Sequence, residues 1–195
     1  MGGKNSKKNA NPELTEPEIE FLLNNTKFDR DGIIRWYSDF LRDCPDGKLD
    51  KKEFEKIYSQ LYPGGNPARF SKYVFDVFDA DGSKYISFTE FMLAMTALSD
   101  TDVTKRLRLT FQIYDVNDNH QIDVKEMTKV IDALYDLKDV PKDERKGELS
   151  ASNRAKAIFS KLDLDESKGL NVDEFVNGCL GDEFLIRLLL PEGSQ

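Results

Sequence analysis

One layout, a polar segment of twelve residues between two apolar stretches, occurs four times in this chain of 195 residues. The polar segments begin at Arg42, Asp79, Asp115 and Asp163. In each segment the eighth residue is aliphatic and the twelfth is glutamate, and these pairs are Leu49 and Glu53, Ile86 and Glu90, Ile122 and Glu126, and Leu170 and Glu174. A repeat of this length is one supersecondary unit that buries its apolar face against the next. The repeat therefore predicts four helix–loop–helix units.

Apolar residues recur at helical spacing beside these segments, which predicts an all-α fold. Before the second segment, Phe70, Val74 and Phe78 share one helical face. We expect the units to pair into two lobes, with the eighth residues of each pair in a short two-stranded antiparallel ribbon. The third and fourth segments start 48 residues apart instead of 36 or 37, which predicts an inserted surface loop at 136–149. The expected parts are an arm at residues 1–12, a first lobe at 13–98 and a second lobe at 102–190.

Oxygen donors alternate along three of the polar segments, as a cage for a hard cation requires. The EF-hand loop binds calcium through positions 1, 3, 5, 7 and 9 and through a bidentate glutamate at 12. The candidate ligands are Asp79, Asp81, Ser83, the Tyr85 carbonyl, Ser87 and Glu90; Asp115, Asn117, Asn119, the Gln121 carbonyl, Asp123 and Glu126; and Asp163, Asp165, Ser167, the Gly169 carbonyl, Asn171 and Glu174. The alternative, solvated acidic turns, requires no such alternation and no closing glutamate. We therefore predict EF-hands that bind two or three Ca²⁺ ions.

The first polar segment departs from this ligand pattern. It has Arg42 at position one and Cys44 at position three, so a cation and a thiol replace two oxygen donors. Pro45 at position four removes a backbone donor and stiffens the turn. We predict that this loop does not bind calcium but keeps its fold, since Gly47 and Glu53 retain scaffold positions.

The three ligand-rich loops lack the glycine that usually occupies position six. The chain turns sharply there with φ above zero, and this sequence has Lys84, His120 and Lys168. A side chain in that region costs about 1–2 kcal/mol, and about 1.4 kcal/mol corresponds to tenfold in affinity. Histidine tolerates the region better than lysine, and Asp123 adds a carboxylate, so we predict the third loop to bind most tightly. We interpret His120 as a solvent-facing residue rather than a pH sensor or metal ligand, because a single ring without partners makes no site.

The first residues match a lipid-modification pattern. Gly2 follows the initiator methionine and Ser6 stands four places later, which is the N-myristoylation pattern. One myristoyl chain gives only marginal membrane binding, and a basic patch is the usual second signal. Lys4, Lys7 and Lys8 supply such a patch. The alternative is a plain disordered arm.

Residues 36–47, WYSDFLRDCPDG, closely resemble the disabled first EF-hand of the neuronal calcium sensors, the recoverin, frequenin and neurocalcin group. The myristoylation start and the ending FLIRLL at 184–189 are similar too. The resemblance implies a calcium–myristoyl switch, in which the lipid is buried without calcium and released with it. It also implies a groove on the first lobe for an amphipathic helix of a kinase, cyclase, channel or receptor. The matching groove positions, which core packing would also explain, are Trp36, Phe40, Phe54, Ile57, Tyr58, Phe88 and Phe91.

The chain also departs from this family pattern. Its working loops lack the family's glycine at position six, and the link between the lobes reads Ser99-Asp100-Thr101 where relatives often have a glycine. The link argues against a free swivel between lobes. Family members differ over whether the fourth loop binds calcium. Its ligands are present here, so we expect it to be a site, although a weaker one.

Composition narrows the remaining classes of function. The formal net charge of −8 argues against nucleic-acid binding. No apolar run approaches the roughly 20 residues that span a bilayer, so we expect a cytoplasmic protein with calcium-dependent or constitutive membrane association. Cys44 and Cys179 are far apart and read as reduced thiols. The chain has no nucleophile–base arrangement, so we expect no enzyme. A passive calcium buffer and a phosphatase subunit resembling calcineurin B are the alternatives to a sensor.

Overall fold

The computed structural model describes residues 13–163 and 167–190, and its regular structure is almost entirely helical. The ten α-helices of these residues are α1 Glu16–Asn25, α2 Arg30–Asp43, α3 Lys51–Leu61, α4 Ala68–Phe78, α5 Phe88–Leu98, α6 Val103–Tyr114, α7 Val124–Leu137, α8 Ala151–Leu162, α9 Val172–Leu180 and α10 Glu183–Leu189. The predicted all-α fold of four EF-hands is confirmed, with α1 and α10 as additional helices at the two ends. Within the described residues, no helix has the length and apolarity that crossing a membrane requires. The predicted arm at 1–12 lies outside these residues.

Two short antiparallel ribbons join the loops in pairs. The ribbons are β1 (Leu49–Asp50) with β2 (Tyr85–Ile86), and β3 (Ile122–Asp123) with β4 (Gly169–Leu170). In the first lobe, Leu49 lies opposite Ile86. In the second lobe, Ile122 lies opposite Leu170. All four side chains are at most 1% exposed, so the eighth residues of paired loops meet in the core as the repeat predicts.

The helix after each ligand-rich loop begins at a capped N-terminus. Ser87, Asp123 and Asn171 are the N-caps of α5, α7 and α9 and accept a hydrogen bond from the N–H three residues on. The glutamate at position twelve reaches back to the N-cap N–H, which completes a capping box. Such a cap contributes about 0.5–2 kcal/mol to stability. The closing glutamate of each loop is therefore held in the first turn of the exiting helix.

Aromatic side chains fill the core of both lobes. In the first lobe, the ring centroids of Phe54 and Phe75 lie 5.7 Å apart, edge to face. In the second lobe, Phe111 and Phe175 make the same arrangement at 5.8 Å. Pairs of this geometry contribute about 0.5–1.5 kcal/mol beyond their buried area. The cores therefore fix how entering and exiting helices pack around each pair of loops.

The inserted segment between α7 and α8 is anchored at its end. Residues 141–144 are exposed, in keeping with the predicted surface loop. The segment then forms a 3-10 helix, Gly147–Leu149, that packs on α8. The Tyr135 hydroxyl of α7 donates to the Leu149 carbonyl oxygen at 2.7 Å. The insertion is thus attached to both neighbouring helices.

The two lobes are joined by the link at residues 99–101 and by packing of α4 against α6 and α7. In the link, the Asp100 carboxylate accepts the Asp102 N–H at 3.0 Å and lies 3.3 Å from Lys105 Nζ. The Asp102 N–H and the Lys105 ammonium lower the pKa of Asp100. Lys27, in the turn before α2, lies 3.6 Å from the same carboxylate, so polar contacts tie the link to both lobes.

Candidate metal sites

The second loop brings its donor atoms together around one point. Asp79, Asp81 and Glu90 each offer a carboxylate oxygen, and these oxygens lie within 4.8 Å of one another. Ser83 Oγ lies 3.3 Å from Asp79 Oδ1 and 2.9 Å from the Tyr85 carbonyl oxygen. Hydrogen bonds from Ser83, first its side chain and then its backbone, lower the pKa of Asp81. Positions 1, 3, 5, 7 and 12 therefore converge, while position 9 caps α5.

The third loop buries its first and last carboxylates. Asp115 is 7% exposed and Glu126 is 3% exposed. The Glu126 oxygens accept the N–H groups of Asn117 at 3.2 Å and Asp123 at 2.9 Å. Burial, with the negative charges of Asp123 and Asp115, raises the pKa of Glu126 in spite of these bonds. The Asn119 N–H donates to Asp115 at 3.1 Å. A cation between these carboxylates would offset both the cost of burying their charges and the repulsion between them.

A second group in the third loop escaped the sequence argument. Asp118 and His120 each bring a ligand atom within 4.8 Å of Asp115 and of each other. His120 Nδ1 lies 3.9 Å from Asp118 Oδ1, and their side chains are 87% and 94% exposed. The His120 ring faces solvent, as interpreted from the sequence. The only sign of this group in the sequence is an aspartate, Asp118, at loop position four. It was missed from the sequence because position four is not a usual ligand position.

The described part of the fourth loop repeats the arrangement of the second. Asp163 Oδ1 accepts the Ser167 N–H at 3.1 Å. Ser167 Oγ donates to the Gly169 carbonyl oxygen at 2.8 Å. Glu174 occupies the capping position at the start of α9. Hydrogen bonds therefore connect positions 1, 5 and 7 of this loop, whereas Asp165 at position 3 lies outside the described residues.

The first loop differs at both ends. Glu53 pairs with Lys56, with Nζ and Oε1 2.5 Å apart, instead of reaching back to cap α3. Arg42 Nη1 lies 2.9 Å from Asp39 Oδ1, outside the loop. Cys44 is 4% exposed, and burial followed by nearby carboxylates raises its thiol pKa to about 11. This loop offers no converging oxygens, and its thiol is held in the neutral form that metals do not bind.

All four loops turn at position six with a positive φ. The angles are +75° at Gly47, +75° at Lys84, +64° at His120 and +69° at Lys168. The turn aims the position-six N–H at the position-one carboxylate, at 2.8–3.1 Å in the three ligand-rich loops. The lysines and the histidine therefore adopt the strained conformation that the sequence predicts.

The chemistry of these donor sets fits a hard divalent cation. The predicted ligands of the second, third and fourth loops are carboxylate, hydroxyl, amide and carbonyl oxygens, with no thiol or imidazole among them. A carboxylate has about four lone-pair sites, so oxygens of Asp79 and Glu126 that accept one N–H each can still face an ion. Oxygen ligands in a flexible loop are what Ca²⁺ prefers, whereas Zn²⁺ prefers nitrogen and sulfur.

Similar proteins agree with this chemistry. An EF-hand domain pair matches residues 104–180. S-modulin of Aquarana catesbeiana is 34% identical over an alignment of 188 residues, which covers 93% of this chain and 91% of that protein. The chain belongs to the neuronal calcium sensor family. Neuronal calcium sensor 1 of Lymnaea stagnalis is 33% identical over an alignment of 176 residues, which covers 90% of this chain and 92% of that protein. Recoverin of Homo sapiens is 29% identical over an alignment of 197 positions, gaps included, which covers 98% of this chain and 95% of that protein. The resemblance carried by residues 36–47 is confirmed, and with it Ca²⁺ as the ion of this neuronal calcium sensor.

The predicted groove residues of this neuronal calcium sensor fall into two groups. Trp36 and Phe40 of α2 meet Phe91 of α5 with centroid distances of 5.9 and 5.6 Å, and Phe40 lies 5.5 Å from Phe88. Phe40 and Phe88 are buried, whereas Trp36 is 37% exposed at the edge. The second group, on α3, is Phe54, Ile57 and Tyr58, with the two rings 5.2 Å apart. Phe28 extends the first group beyond the sequence prediction, at 6.2 Å from Trp36.

Proposed function

We propose that this neuronal calcium sensor binds Ca²⁺ in its second, third and fourth loops and responds by opening the paired helices. The observation that carries the proposal is the convergence of Asp79, Asp81 and Glu90 within 4.8 Å in a loop that shares its pattern with two others. Asp115 and Glu126 would hold the ion in the third loop, and Asp163 and Glu174 in the fourth. Bound Ca²⁺ supplies positive charge: three ions add six charges and change the formal net charge from −8 to about −2.

The closing glutamate connects ion binding to helix position. Glu90, Glu126 and Glu174 are the third residues of α5, α7 and α9, so a shift of their carboxylates moves the first turn of each helix. Sensor EF-hands open in this way and expose apolar surface. In the first lobe, separation of α2 from α5 would part Phe40 from Phe88 and widen the groove.

A groove lined by aromatic side chains fits one face of an amphipathic helix. Partner helices of this kind insert apolar side chains at helical spacing into such a groove. Trp36 at the exposed edge offers a large amphipathic surface at low entropic cost. The proposed partner is therefore a target-protein helix, and myristoylated Gly2 with Lys4, Lys7 and Lys8 would add contact with an anionic membrane.

Calorimetric calcium titrations of Glu90→Gln, Glu126→Gln and Glu174→Gln test the three loops separately. Each variant is expected to lose one binding event, because glutamine keeps the size of the side chain but not the bidentate charge. The tightest event should disappear with Glu126→Gln. Glu53→Gln is the matched control and should bind as the parent does, since Glu53 pairs with Lys56. A full set of binding events in all three variants would contradict the proposed sites.

Trp36 offers a direct test of sensor against buffer. It is the only tryptophan of the chain, and its ring lies 5.9 Å from Phe91 in the groove. Opening should change its fluorescence with the same midpoint as calcium binding and should increase binding of an apolar dye. Calcium uptake without either change would identify a passive buffer.

Vesicle sedimentation tests the membrane part of the proposal. The myristoylated chain should sediment with vesicles of anionic lipid in calcium more than in chelator. Gly2→Ala should abolish the difference, and Gly3→Ala, which keeps the acylated residue, should preserve it. Equal sedimentation with and without calcium would remove the switch from the proposal.

A further inference from the structure

Arg69 of the first lobe bridges two carboxylates of the second lobe. Its Nη1 lies 2.7 Å from Asp132 Oδ2 and 3.1 Å from Asp136 Oδ2. The two aspartates stand four residues apart on α7, so they lie one turn apart on the same helical face. One guanidinium from α4 therefore grips two consecutive turns of α7 across the boundary between the lobes.

Arg145 of the inserted segment meets the same carboxylate from the other side. Its Nη1 lies 2.5 Å from Asp136 Oδ1. Its Nε and Nη2 donate to the carbonyl oxygens of Val140 and Tyr135 at 2.7 and 3.0 Å. The side chain is 14% exposed, so it is fixed by backbone contacts. Arg145 thus sets the orientation in which Asp136 receives Arg69.

The backbone makes a close contact at the same place. The Asn66 N–H, in the turn between α3 and α4, donates to the Asp136 carbonyl oxygen at 2.8 Å. A Cβ atom at Gly65 would lie 1.8 Å from the Leu137 carbonyl oxygen. Only glycine allows this approach, because no real Cβ contact is so short. The turn of the first lobe therefore lies directly against the C-terminal end of α7.

We propose that Arg69 and Arg145, acting through Asp136, are positioning residues that hold the two lobes of this neuronal calcium sensor in one orientation. The covalent link joins α5 to α6, whereas this contact joins α4 to α7. A rotation about the link alone must break the second attachment, so two separated attachments prevent a swivel. The inserted segment supplies Arg145 and so helps to hold Asp136 in place at this contact between the lobes.

Pulsed dipolar spectroscopy on the full calcium-saturated chain measures the orientation of the lobes. Spin labels at Lys52→Cys in α3 and Lys156→Cys in α8 occupy exposed positions, one in each lobe. Cys44 and Cys179 are buried, and a chain without the added cysteines checks that they take no label. We expect one narrow distance distribution for the labelled parent and at least a twofold broadening when Arg69→Gln and Arg145→Gln are combined.

Three further variants separate positioning from general stability. Arg108→Gln removes an exposed ion pair of 3.2 Å to Asp173 inside the second lobe, and it should leave the distribution narrow. Arg69→Lys keeps the charge but replaces the planar guanidinium by a more strongly hydrated ammonium on a flexible stem, and it should broaden the distribution by an intermediate amount. Gly65→Ala should shift the mean distance, because the turn must move away from α7.

The outcome is independent of calcium ligation, since none of these variants changes a proposed ligand. If the double variant loses helical content by circular dichroism, the single Arg69→Gln variant, which alters an exposed side chain, is compared instead. A parent distribution that is already broad would overturn the proposal. So would an unchanged width in the folded variant that lacks the Arg69 contact.

Discussion

Replacement of Lys84 by glycine is expected to tighten calcium binding in the second loop about fourfold. Lys84 has a φ of +75°, where a side chain costs about 1–2 kcal/mol. Glycine loses about 0.5–1 kcal/mol more through its backbone entropy. The difference is about 0.8 kcal/mol in favour of glycine, or roughly fourfold. We expect this difference in the calcium dissociation constant of the second loop, because the turn aims the Lys84 N–H at the Asp79 carboxylate, 3.1 Å away.

The assay is calorimetry on chains with one working loop. Glu126→Gln and Glu174→Gln leave the second loop as the proposed site, and Lys84→Gly is then added. The same comparison in the third loop, with His120→Gly, should give a smaller gain of about twofold, because histidine populates positive φ more readily than lysine.

The first loop provides the reverse control. Gly47 has a φ of +75° in the loop that we expect not to bind calcium. Gly47→Lys should therefore lower the free energy of unfolding by about 1 kcal/mol and leave calcium binding unchanged. An unchanged dissociation constant in Lys84→Gly, with a higher free energy of unfolding in chelator, would refute the reasoning. It would mean that the calcium-free loop already holds the turn.

Two other outcomes follow from buried and paired groups. Burial first, and nearby carboxylates second, raise the thiol pKa values of Cys44 and Cys179 to about 11 and about 12. A thiol reagent at pH 8 should therefore modify them only after denaturation, and labelling of the native chain at the rate of a free thiol would contradict this. The Asp136 pKa is lowered because hydrogen bonds from Arg145 and Arg69 outweigh burial. The stabilisation that the Asp136 carboxylate gives is present above its unfolded-state pKa and is lost as pH falls through its folded-state pKa. Asp136→Asn should therefore flatten the decline in the free energy of unfolding, measured with urea, below about pH 4. An identical decline in both chains would contradict this.

The loops could be predicted from sequence because each is specified within twelve residues. The meeting of Leu49 with Ile86 follows from position eight alone, since paired loops present the same position to each other. The positive φ at Lys84 follows in the same way from position six. Local spacing therefore fixes both the ribbon and the strained turn, even where the usual glycine is absent.

Contacts between distant residues could not be predicted in this way. Arg69 and Asp132 are 63 positions apart, and no local pattern distinguishes either from other exposed charges. Glu53 occupies the same loop position as Glu90, yet it pairs with Lys56, three residues later. The orientation of the Glu53 side chain depends on a neighbour outside the ligand pattern. A glutamate at position twelve therefore predicts where the carboxylate is attached but not which way it points.

Because of this difference at position twelve, we expect calcium-driven opening of the first lobe to depend on the second loop alone. Glu90 caps α5 and faces its loop, whereas Glu53 faces Lys56, so of the two exiting helices of the first lobe only α5 has a glutamate placed to move with a bound ion. The proposed groove lies between α2 and α5, and Trp36 of α2, next to Phe91 of α5, would report on its opening. Glu90→Gln should therefore abolish the calcium-induced change in Trp36 fluorescence, while Glu126→Gln should remove the tightest binding event and keep that change. The opposite pattern would show that groove opening is driven from the second lobe, and the lever assigned to Glu90 would be wrong.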